Sequence, residues 1–405
     1  MEEKTTDLSL YIHIPFCVRK CDYCDFLSFP VAKSGCAAGR EDILQEYLRA
    51  LKAEIVQESS RYAERKVDTI FLGGGTPSLL LPEQIEELMQ VLRGSFEILP
   101  EAEITIEANP GTLTRDKLKT YQKAGINRLS IGLQSADDQE LQILGRIHRF
   151  EDFRSNFELA RDCGFFNINV DLMSGLPGQK RESWCRTLKT VAELAPEHIS
   201  AYGLIIEEGT PFYNRYGEKS SSGIHELPTE EEERQMYHDT AEILSGYGYM
   251  QYEISNYART GYECRHNTGY WVRKDYAGFG LGAASMVNNV RWKNSSVLEE
   301  YMVLAGKDDE MERGQTVGQT REIKREKTIL TLQEQQEETM FLGLRMNQGV
   351  SRQRFYDLFG SSIESIYADW LCKMEKEGLL LNEDSVRLTE KGRDLANFVM
   401  AGFLQ

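Results

Sequence analysis

The sequence lacks the features that mark membrane, secreted and nucleic-acid-binding proteins. It contains no run of 18 apolar residues, so no membrane-spanning helix is predicted. Residues 1–7 have neither the basic start nor the apolar core of a secretory signal. Positive charge is scarce, since 47 Lys and Arg oppose 64 Asp and Glu for a formal net charge of −17. This balance argues against a general binder of nucleic acids or anionic membranes, and we expect a cytoplasmic protein.

Cysteine is sparse except in one short loop. Three of the eight cysteines lie close together, at Cys17, Cys21 and Cys24. A chain of 405 residues without secretory features is long enough to build a core and has little need of a disulfide framework. We therefore expect reduced or buried thiols at the remaining positions, which are Cys36, Cys163, Cys185, Cys264 and Cys372.

The loop that holds the first three cysteines has the spacing of a metal site. Its pattern, C-x3-C-x2-C, follows an apolar run that predicts a strand. Three thiolates this close could hold three irons of a [4Fe–4S] cubane and leave the fourth iron for an exogenous ligand. Zinc is an alternative because the spacing also fits, although zinc normally takes four protein ligands. Spacing alone leaves a chance arrangement open as well.

Strand-like and helical segments alternate through the first half of the chain. The predicted strands are Leu8–Ile14, Thr69–Leu72, Glu103–Glu107, Arg128–Ile131, Asn167–Leu172 and His198–Tyr202. The predicted helices between them are Glu41–Arg61, Pro82–Arg93, Thr114–Ala124, Phe150–Cys163 and Lys180–Leu194. This alternation predicts βα units around a parallel sheet. Six such units are too few for a closed eight-stranded barrel, so we expect a partial, open barrel with functional residues at the C-terminal ends of its strands.

Three motifs fall at or near the ends of predicted strands. The glycine run that begins at Gly73 would let the backbone approach a ligand closely, although an ordinary βα turn is the alternative. Glu107 ends the next strand, where a carboxylate could bind a cation or a hydroxyl, or serve as a cap. Asp171 lies within an apolar strand, and a buried carboxylate needs a partner or a ligand.

An aromatic segment in the second half could bind a flat macrocycle. A helix predicted at Thr229–Gly246 and a strand predicted at Tyr252–Ala258 precede it. The segment contains His266, Asn267, Tyr270 and Trp271. The imidazole could reach an iron while the rings stack on the macrocycle. A core histidine packed by aromatic neighbours is the alternative interpretation.

The C-terminal part separates into a polar linker at Gly306–Lys327 and a small module at Leu330–Gln405. The module has predicted helices at Glu334–Asn347, Ser351–Phe359 and Ile363–Glu377, a wing at Leu379–Leu388 and a last helix near Thr389. It holds eight basic and twelve acidic residues, so we expect a docking lid rather than a DNA-binding domain. The predicted division of the chain is 1–215, 216–305, 306–329 and 330–405.

The cysteine loop, with Tyr23 before its last cysteine, resembles that of the radical S-adenosylmethionine (SAM) superfamily. Within it, the sequence Tyr-Ile-His-Ile-Pro-Phe-Cys resembles the oxygen-independent coproporphyrinogen III oxidase group, which includes the HemW haem chaperones. The resemblance runs from about Leu8 to the C-terminus. It implies an α/β fold, namely a partial (βα)6 radical-SAM barrel with a C-terminal α+β extension and a winged-helix-like module. It also implies a [4Fe–4S] cluster on Cys17, Cys21 and Cys24.

The same resemblance implies roles for individual residues. SAM contacts are implied for Tyr11, Tyr23, Gly74, Gly75, Thr76, Glu107, Gln134, Arg146, Asp171 and Ile205. A haem site is implied near the motif H-N-x-x-Y-W, whose residues are His266, Asn267, Tyr270 and Trp271. A glycine-rich turn at Gly278–Ser285 is implied to close over the site.

Two functions fit the resemblance. One is a haem chaperone that keeps the cluster and SAM and delivers haem to haemoproteins such as respiratory enzymes, some of them membrane-associated. The other is an oxidase that cleaves SAM reductively and decarboxylates coproporphyrinogen. The oxidases carry a further cysteine where this chain has Phe26, and they carry a longer N-terminal extension. Because the H-N-x-x-Y-W motif belongs to the chaperone branch, we expect the chaperone, with no nucleic-acid partner and with homodimerisation left open.

Overall fold

A single twelve-stranded sheet organises the computed structural model, which describes residues 7–31, 40–217, 226–303 and 325–404. The strands are β1 (Asp7–Ile14), β2 (Phe16–Cys17), β3 (Phe29–Pro30), β4 (Lys66–Gly74), β5 (Glu97–Ala108), β6 (Arg128–Gln134), β7 (Ile168–Ser174), β8 (His198–Gly203), β9 (Met250–Glu253), β10 (Asn256–Ala258), β11 (Tyr276–Phe279), β12 (Ala284–Val287), β13 (Val290–Lys293), β14 (Lys327–Ile329), β15 (Val350–Ser351), β16 (Leu380–Asn382) and β17 (Ser385–Leu388). The order in the large sheet is β14-β13-β12-β11-β1-β4-β5-β6-β7-β8-β10-β9.

Helices cover this sheet and build the C-terminal part. They are α1 (Arg40–Ser59), α2 (Pro82–Ser95), α3 (Arg115–Lys123), α4 (Asp138–Ile143), α5 (Phe150–Asp162), α6 (Arg181–Glu193), α7 (Pro211–Tyr216), α8 (Glu230–Gly246), α9 (Arg265–Trp271), α10 (Leu298–Met302), α11 (Leu332–Gly343), α12 (Arg352–Phe359), α13 (Ile363–Lys376), α14 (Glu390–Asp394) and α15 (Ala396–Ala401). Within the described residues, no helix is long and apolar enough to cross a membrane.

Six adjacent strands at the centre of the sheet, β1 and β4 to β8, pair in parallel. Each is followed in the chain by at least one helix, which gives six βα units. The antiparallel β10 and β9 extend one edge, whereas β11 pairs in parallel with β1 and leads into the antiparallel β12 to β14. The prediction of a partial (βα)6 barrel is therefore confirmed.

Alternation along the parallel strands separates an apolar outer face from a polar inner face. In β1, Leu8, Leu10 and Ile12 are fully buried in the main core under the helices. Side chains of a strand point alternately to its two faces, so Ser9 and Tyr11 project inward. The other inward positions carry Thr69, Phe71, Glu103, Thr105, Glu107, Arg128, Ser130, Asn169, Asp171, His198 and Ser200. The inner face therefore forms a polar lumen, and the C-terminal ends of the strands define its mouth.

A second, smaller core belongs to the C-terminal module, which we define as residues 330–404. Its three-stranded sheet has the order β15-β17-β16, and α11, α12 and α13 pack around it. The hairpin β16–β17 occupies the position of a wing, so the prediction of a winged-helix-like module is confirmed. The predicted linker lies mostly outside the described residues, but its last residues form β14 and pair with β13. The domain boundaries stay predictions.

Three predicted elements were wrong in detail. The strand predicted at Tyr252–Ala258 is the hairpin β9–β10, because the Glu253 carboxylate accepts the backbone N–H of Ser255 at 3.0 Å and holds a turn there. The helix predicted to run to Asn347 ends at Gly343, and the loop that follows leads into β15. The last predicted helix is split into α14 and α15, because Leu395 has non-helical backbone angles.

Candidate functional site

The cysteine loop lies at the mouth of the lumen, directly after β1. Cys17 is buried, whereas Cys21 and Cys24 are partly exposed, and none of the three forms a disulfide. Burial raises the pKa of Cys17, and it raises the pKa of Cys24 to about 11. Cys17 and Cys24 therefore stay protonated at neutral pH unless a cation holds them as thiolates.

A hydrogen-bonded network joins two of these cysteines to the ends of neighbouring strands. The hydroxyl of Thr76 donates to Cys17 Sγ at 3.6 Å, and it accepts from Asn109 Nδ2 at 2.8 Å. The guanidinium of Arg146 donates to Asn109 Oδ1 at 2.7 Å and to Cys21 Sγ at 3.4 Å. Donors on three separate segments thus converge on the cysteine loop.

The glycine run after β4 passes too close to its neighbours for any side chain. Gly74 has a φ of +113°, and a Cβ there would lie 2.5 Å from the His13 ring. A Cβ on Gly75 would lie 2.7 Å from the carbonyl oxygen of Phe16. Both glycines are therefore required by the backbone. The run forms a cradle beside the cysteine loop, and its Gly74 N–H donates to Glu107 Oε2 at 3.0 Å.

Two carboxylates share the lumen below this cradle. Asp171 accepts from Asn169 at 2.8 Å and from Ser130 at 3.2 Å. The pKa of Glu107 is raised to about 7, mainly by burial and secondly by the negative charge of Asp171. Burial also raises the pKa of Asp171. Carboxylates with raised pKa values in a cleft are typical of ligand sites. Burying such groups destabilises the fold, and proteins tolerate that destabilisation where function requires it.

Replacing Glu107 with glutamine should raise the melting temperature of the cluster-free chain at pH 8 but not at pH 4.5. The folded pKa of about 7 exceeds the ordinary 4.5, so the folded state holds this proton more tightly. The stability from this group is therefore present below about pH 4.5 and is lost as pH rises through 7. Glutamine can still accept the Gly74 N–H, so we expect a gain of about 1–3 kcal/mol at pH 8.

Thermal unfolding of parent and variant at the two pH values checks this expectation. Glu97→Gln is the control, since Glu97 lies on the same strand but is exposed. An equal gain at both pH values, or an equal gain in the control, would contradict the account of Glu107.

Gln134 has a strained backbone at the end of β6. Its φ is +76°, a left-handed value that is uncommon for a residue with a side chain. The register between β6 and β7 shifts between Gly132 and Gln134, as at a β-bulge. The Gln134 side chain is largely buried at the mouth of the lumen, and its amide nitrogen lies close to Gly132. Such strain is often found at functional sites.

The predicted aromatic contacts lie on opposite sides of the site. The Tyr11 hydroxyl is 2.9 Å from His13 Nδ1, and its ring stacks on Phe71 with centroids 6.4 Å apart. The Tyr23 ring packs against Phe212 at 6.4 Å. The side chain of Ile205 is 70% exposed on the segment after β8, so only its backbone is close to the strand ends.

The motif H-N-x-x-Y-W forms α9, which closes the end of the lumen opposite the cysteine loop. His266 is 1% exposed, and its ring stacks on Phe71 at 5.2 Å. Its Nδ1 is hydrogen-bonded to Thr69 Oγ1 and its Nε2 to Tyr270 Oη, each at 2.9 Å. Burial lowers the pKa of His266 to about 3, so the ring is neutral. Asn267 and Trp271 lie on the same short helix.

Two residues with a place in this arrangement were missed from the sequence. Asn109 connects Thr76 to Arg146, and its position two residues after Glu107 at a strand end was the available signal. Arg128 is almost fully buried in the lumen, and its charge opposes the burial that raises the pKa of Glu107 and Asp171. A buried arginine within an apolar strand was the corresponding signal.

The donor set, three cysteine thiols in one loop, is of the kind that holds an iron–sulfur cluster. Three free thiols lie in one loop, with Arg146 and the Gly74–Thr76 backbone beside them. Arg146 is half-buried, and its Nε is buried without a hydrogen-bond partner within the described part of the chain. Among the residues described, no three His, Cys, Asp or Glu side chains converge tightly enough to hold one metal ion.

Comparison with known proteins gives two family matches. Residues 11–191 match the radical SAM superfamily, and residues 330–395 match the HemN C-terminal domain. The fold resembles the coproporphyrinogen III oxidase HemN from Escherichia coli, described as a radical SAM enzyme, with a TM-score of 0.80 and 27% identity. That match covers 98% of this chain and 90% of the other.

Curated relatives extend the similarity along the chain. Heme chaperone HemW from Escherichia coli (strain K12) is 41% identical over 285 residues, or 70% of this chain and 71% of that protein. Heme chaperone HemW from Bacillus subtilis (strain 168) is 38% identical over 401 residues, or 98% of this chain and 99% of that protein. The chain belongs to the heme chaperone HemW family of the radical SAM superfamily.

Proposed function

We propose that this protein is a haem chaperone that carries a [4Fe–4S] cluster and SAM and delivers haem to haemoproteins. The observation that carries the cofactor part is the network that joins Cys17 and Cys21 through Thr76, Asn109 and Arg146. The network joins two of the three loop thiols to a half-buried cation, beside a backbone cradle in which neither Gly74 nor Gly75 has room for a side chain. The family relationship supports the haem part.

Cys17, Cys21 and Cys24 would hold the cluster. Thr76 and Arg146 already donate to two of these sulfurs, and hydrogen bonds to cluster sulfurs are one way in which a protein tunes a cluster. The positive charge of Arg146 would offset the negative charge of the thiolates. When bound, the cluster and SAM supply the electron-transfer chemistry, whereas the chain binds and orients them.

SAM would lie between the cluster and the lumen. The Gly74–Thr76 backbone forms the wall nearest the cysteine loop, and it has no room for a side chain at either glycine. Glu107 and Asp171 face the lumen below and supply acceptors for the positive and hydroxyl groups of the ligand. Gln134 and Arg146 complete the polar surround, and Tyr11, Tyr23 and the Ile205 backbone lie at its sides.

Replacing Asp171 with alanine should weaken SAM binding by about 10- to 100-fold and leave the cluster in place. A hydrogen bond to a charged group contributes about 1.5–3 kcal/mol, and the substitution also leaves Ser130 and Asn169 without their shared acceptor. Calorimetric titration of SAM into reconstituted protein measures the affinity, and the visible spectrum reports the cluster.

The control for this titration is Asp116→Ala, the same change at an exposed position on α3. An unchanged affinity in Asp171→Ala would remove Asp171 from the SAM site. A lost cluster spectrum would instead show that Asp171 supports the fold of the cysteine loop.

One sequence difference favours the chaperone over the oxidase. The position where oxidases have a further cysteine is Phe26, which is 60% exposed beside the cysteine loop. A benzyl side chain cannot ligate iron or transfer a proton. The shared fold with the oxidase HemN keeps the decarboxylase as the second candidate, because the lumen could accept a substrate in either case.

The geometry disfavours His266 as an iron ligand. Both of its ring nitrogens are already hydrogen-bonded, to Thr69 and to Tyr270, and the ring is buried. To bind iron, His266 would have to break one of these hydrogen bonds, and α9 would have to move away from the end of the lumen that it closes. We therefore propose a structural role for His266 and look for haem contacts at the other end of α9, near Trp271.

A further inference from the structure

A cleft of about 230 Å³ separates the C-terminal end of α9 from the C-terminal module. Trp271 and Val272 form one wall, whereas Val350 and Phe355 contribute apolar surface from the module. Polar atoms come from a few side chains, among them Gln348. A cleft that combines apolar walls with polar side chains and lies between two structural units is a usual place for a ligand site.

The Trp271 ring is held in place by a neighbouring side chain, but its indole N–H has no hydrogen-bond acceptor among the described residues. The guanidinium of Arg345 lies 4.3 Å from the ring centroid, which fixes the indole by a cation–π contact. The indole Nε1 is buried and has no hydrogen-bond partner among the described residues. A buried indole N–H usually finds an acceptor, so the unsatisfied Nε1 marks this wall of the cleft as a place where a polar partner is missing.

Arg354 lines the same cleft, and its side chain forms a hydrogen bond to a backbone carbonyl but no ion pair with an acidic residue in the described part of the chain. One of its nitrogens donates to the Val272 carbonyl at 2.6 Å, which leaves most of its N–H groups for another acceptor. Desolvation and the neighbouring positive charge of Arg273 lower the pKa of Arg354, although its side chain stays exposed to solvent. In a chain with a net charge of −17, such a site favours an anion.

The two ends of α9 therefore face different surroundings. His266 points into the lumen, where the Glu103 carboxylate accepts the backbone N–H groups of Arg265 and His266 and fixes the start of the helix. Trp271, one turn and a half later, faces the cleft. The motif thus combines an anchored, buried histidine with a tryptophan that is accessible to a ligand.

We propose that the cleft between α9 and the C-terminal module binds the propionate-bearing edge of haem, with a propionate on Arg354 and the ring edge against Trp271. This inference rests on the proposed haem-binding function and gives that function a location. Haem combines a flat apolar ring with carboxylates on one edge, which matches the aromatic wall and the unpaired guanidinium. No His, Cys, Met or Tyr is among the described residues that line the cleft. The iron would therefore stay open to the axial ligands of a recipient.

The test is a haem titration followed by the Soret band, with anaerobic protein that retains its cluster. Replacing Arg354 with glutamate should raise the Kd for haem about tenfold or more, since a charge-assisted contact becomes repulsive. Lys376→Glu makes the same charge change at an exposed position of the module, on α13, and should change the Kd by less than about twofold. His266→Gln should retain haem binding.

A second titration uses haem dimethyl ester, which has the same ring but no carboxylates. The parent protein should prefer haem over the ester, and Arg354→Gln should bind the two equally. If the parent protein bound haem and haem dimethyl ester with equal affinity, the proposed location of haem in the cleft would be overturned, even if the variants failed to fold. Unchanged haem affinity in Arg354→Glu, or an equal loss in Lys376→Glu, would also overturn it. Absence of any haem binding by the parent would instead reject the proposed function.

Discussion

Replacing Cys17, Cys21 and Cys24 together with alanine should reduce bound iron from about four atoms per chain to none. The three thiols are the only cysteines in the cysteine loop, and the network around them offers hydrogen-bond donors but no alternative thiolate. Without a thiolate on each of three irons, a cubane has nothing to hold it. Iron and acid-labile sulfide in anaerobically reconstituted protein measure the loss.

The matched control replaces three cysteines elsewhere, Cys163, Cys185 and Cys372, with alanine. All three are free thiols outside the loop, so this variant should keep the iron and sulfide content of the parent. If the loop variant kept its iron and sulfide, or if the control lost them, the cluster would not be bound where we propose.

Local periodicity was enough to predict most of the barrel. The outward residues of the central strands are continuously buried beneath helices, and they give each strand an apolar signature. The helices alternate with them and begin with clear caps, as at Thr114 and Thr229. Parallel pairing of such units follows from their order in the chain.

The contacts that define the site depend on register, which periodicity does not reveal. Arg146 meets Asn109 across 37 positions of sequence, and it meets Cys21 across 125. Each contact requires that separate strands end at the same level of the sheet. The network could therefore be anticipated as a region, at the C-terminal ends of the strands, but not as a set of hydrogen bonds.

The H-N-x-x-Y-W motif illustrates the limit most clearly. Its residue types are equally compatible with binding a flat macrocycle and with packing as a buried aromatic cluster. Two long-range contacts make His266 a buried structural residue. The Glu103 carboxylate accepts the backbone N–H of His266 from 163 positions away, and the Thr69 hydroxyl is hydrogen-bonded to the imidazole Nδ1. Thr69 and Glu103 are the first residues of two predicted strands, yet nothing local pairs either of them with α9.

Haem binding without coproporphyrinogen decarboxylation is the second large effect that we expect. Phe26 occupies the position where the resemblance implies a further cysteine in the oxidases, and a benzyl side chain can neither ligate iron nor carry a proton. The cleft near Trp271 offers haem an aromatic wall and an unpaired guanidinium outside the lumen. A bound haem there would lie away from the SAM site, which suits storage and transfer rather than chemistry on the ring.

The most direct test of this function makes both measurements on one anaerobic preparation that contains the reconstituted cluster. Added haem should produce a saturable Soret shift. Coproporphyrinogen III, supplied with SAM and a reductant, should yield no protoporphyrinogen above the level seen with the cysteine-loop variant. Sustained decarboxylation would contradict the chaperone function in favour of the oxidase, whatever the haem titration showed.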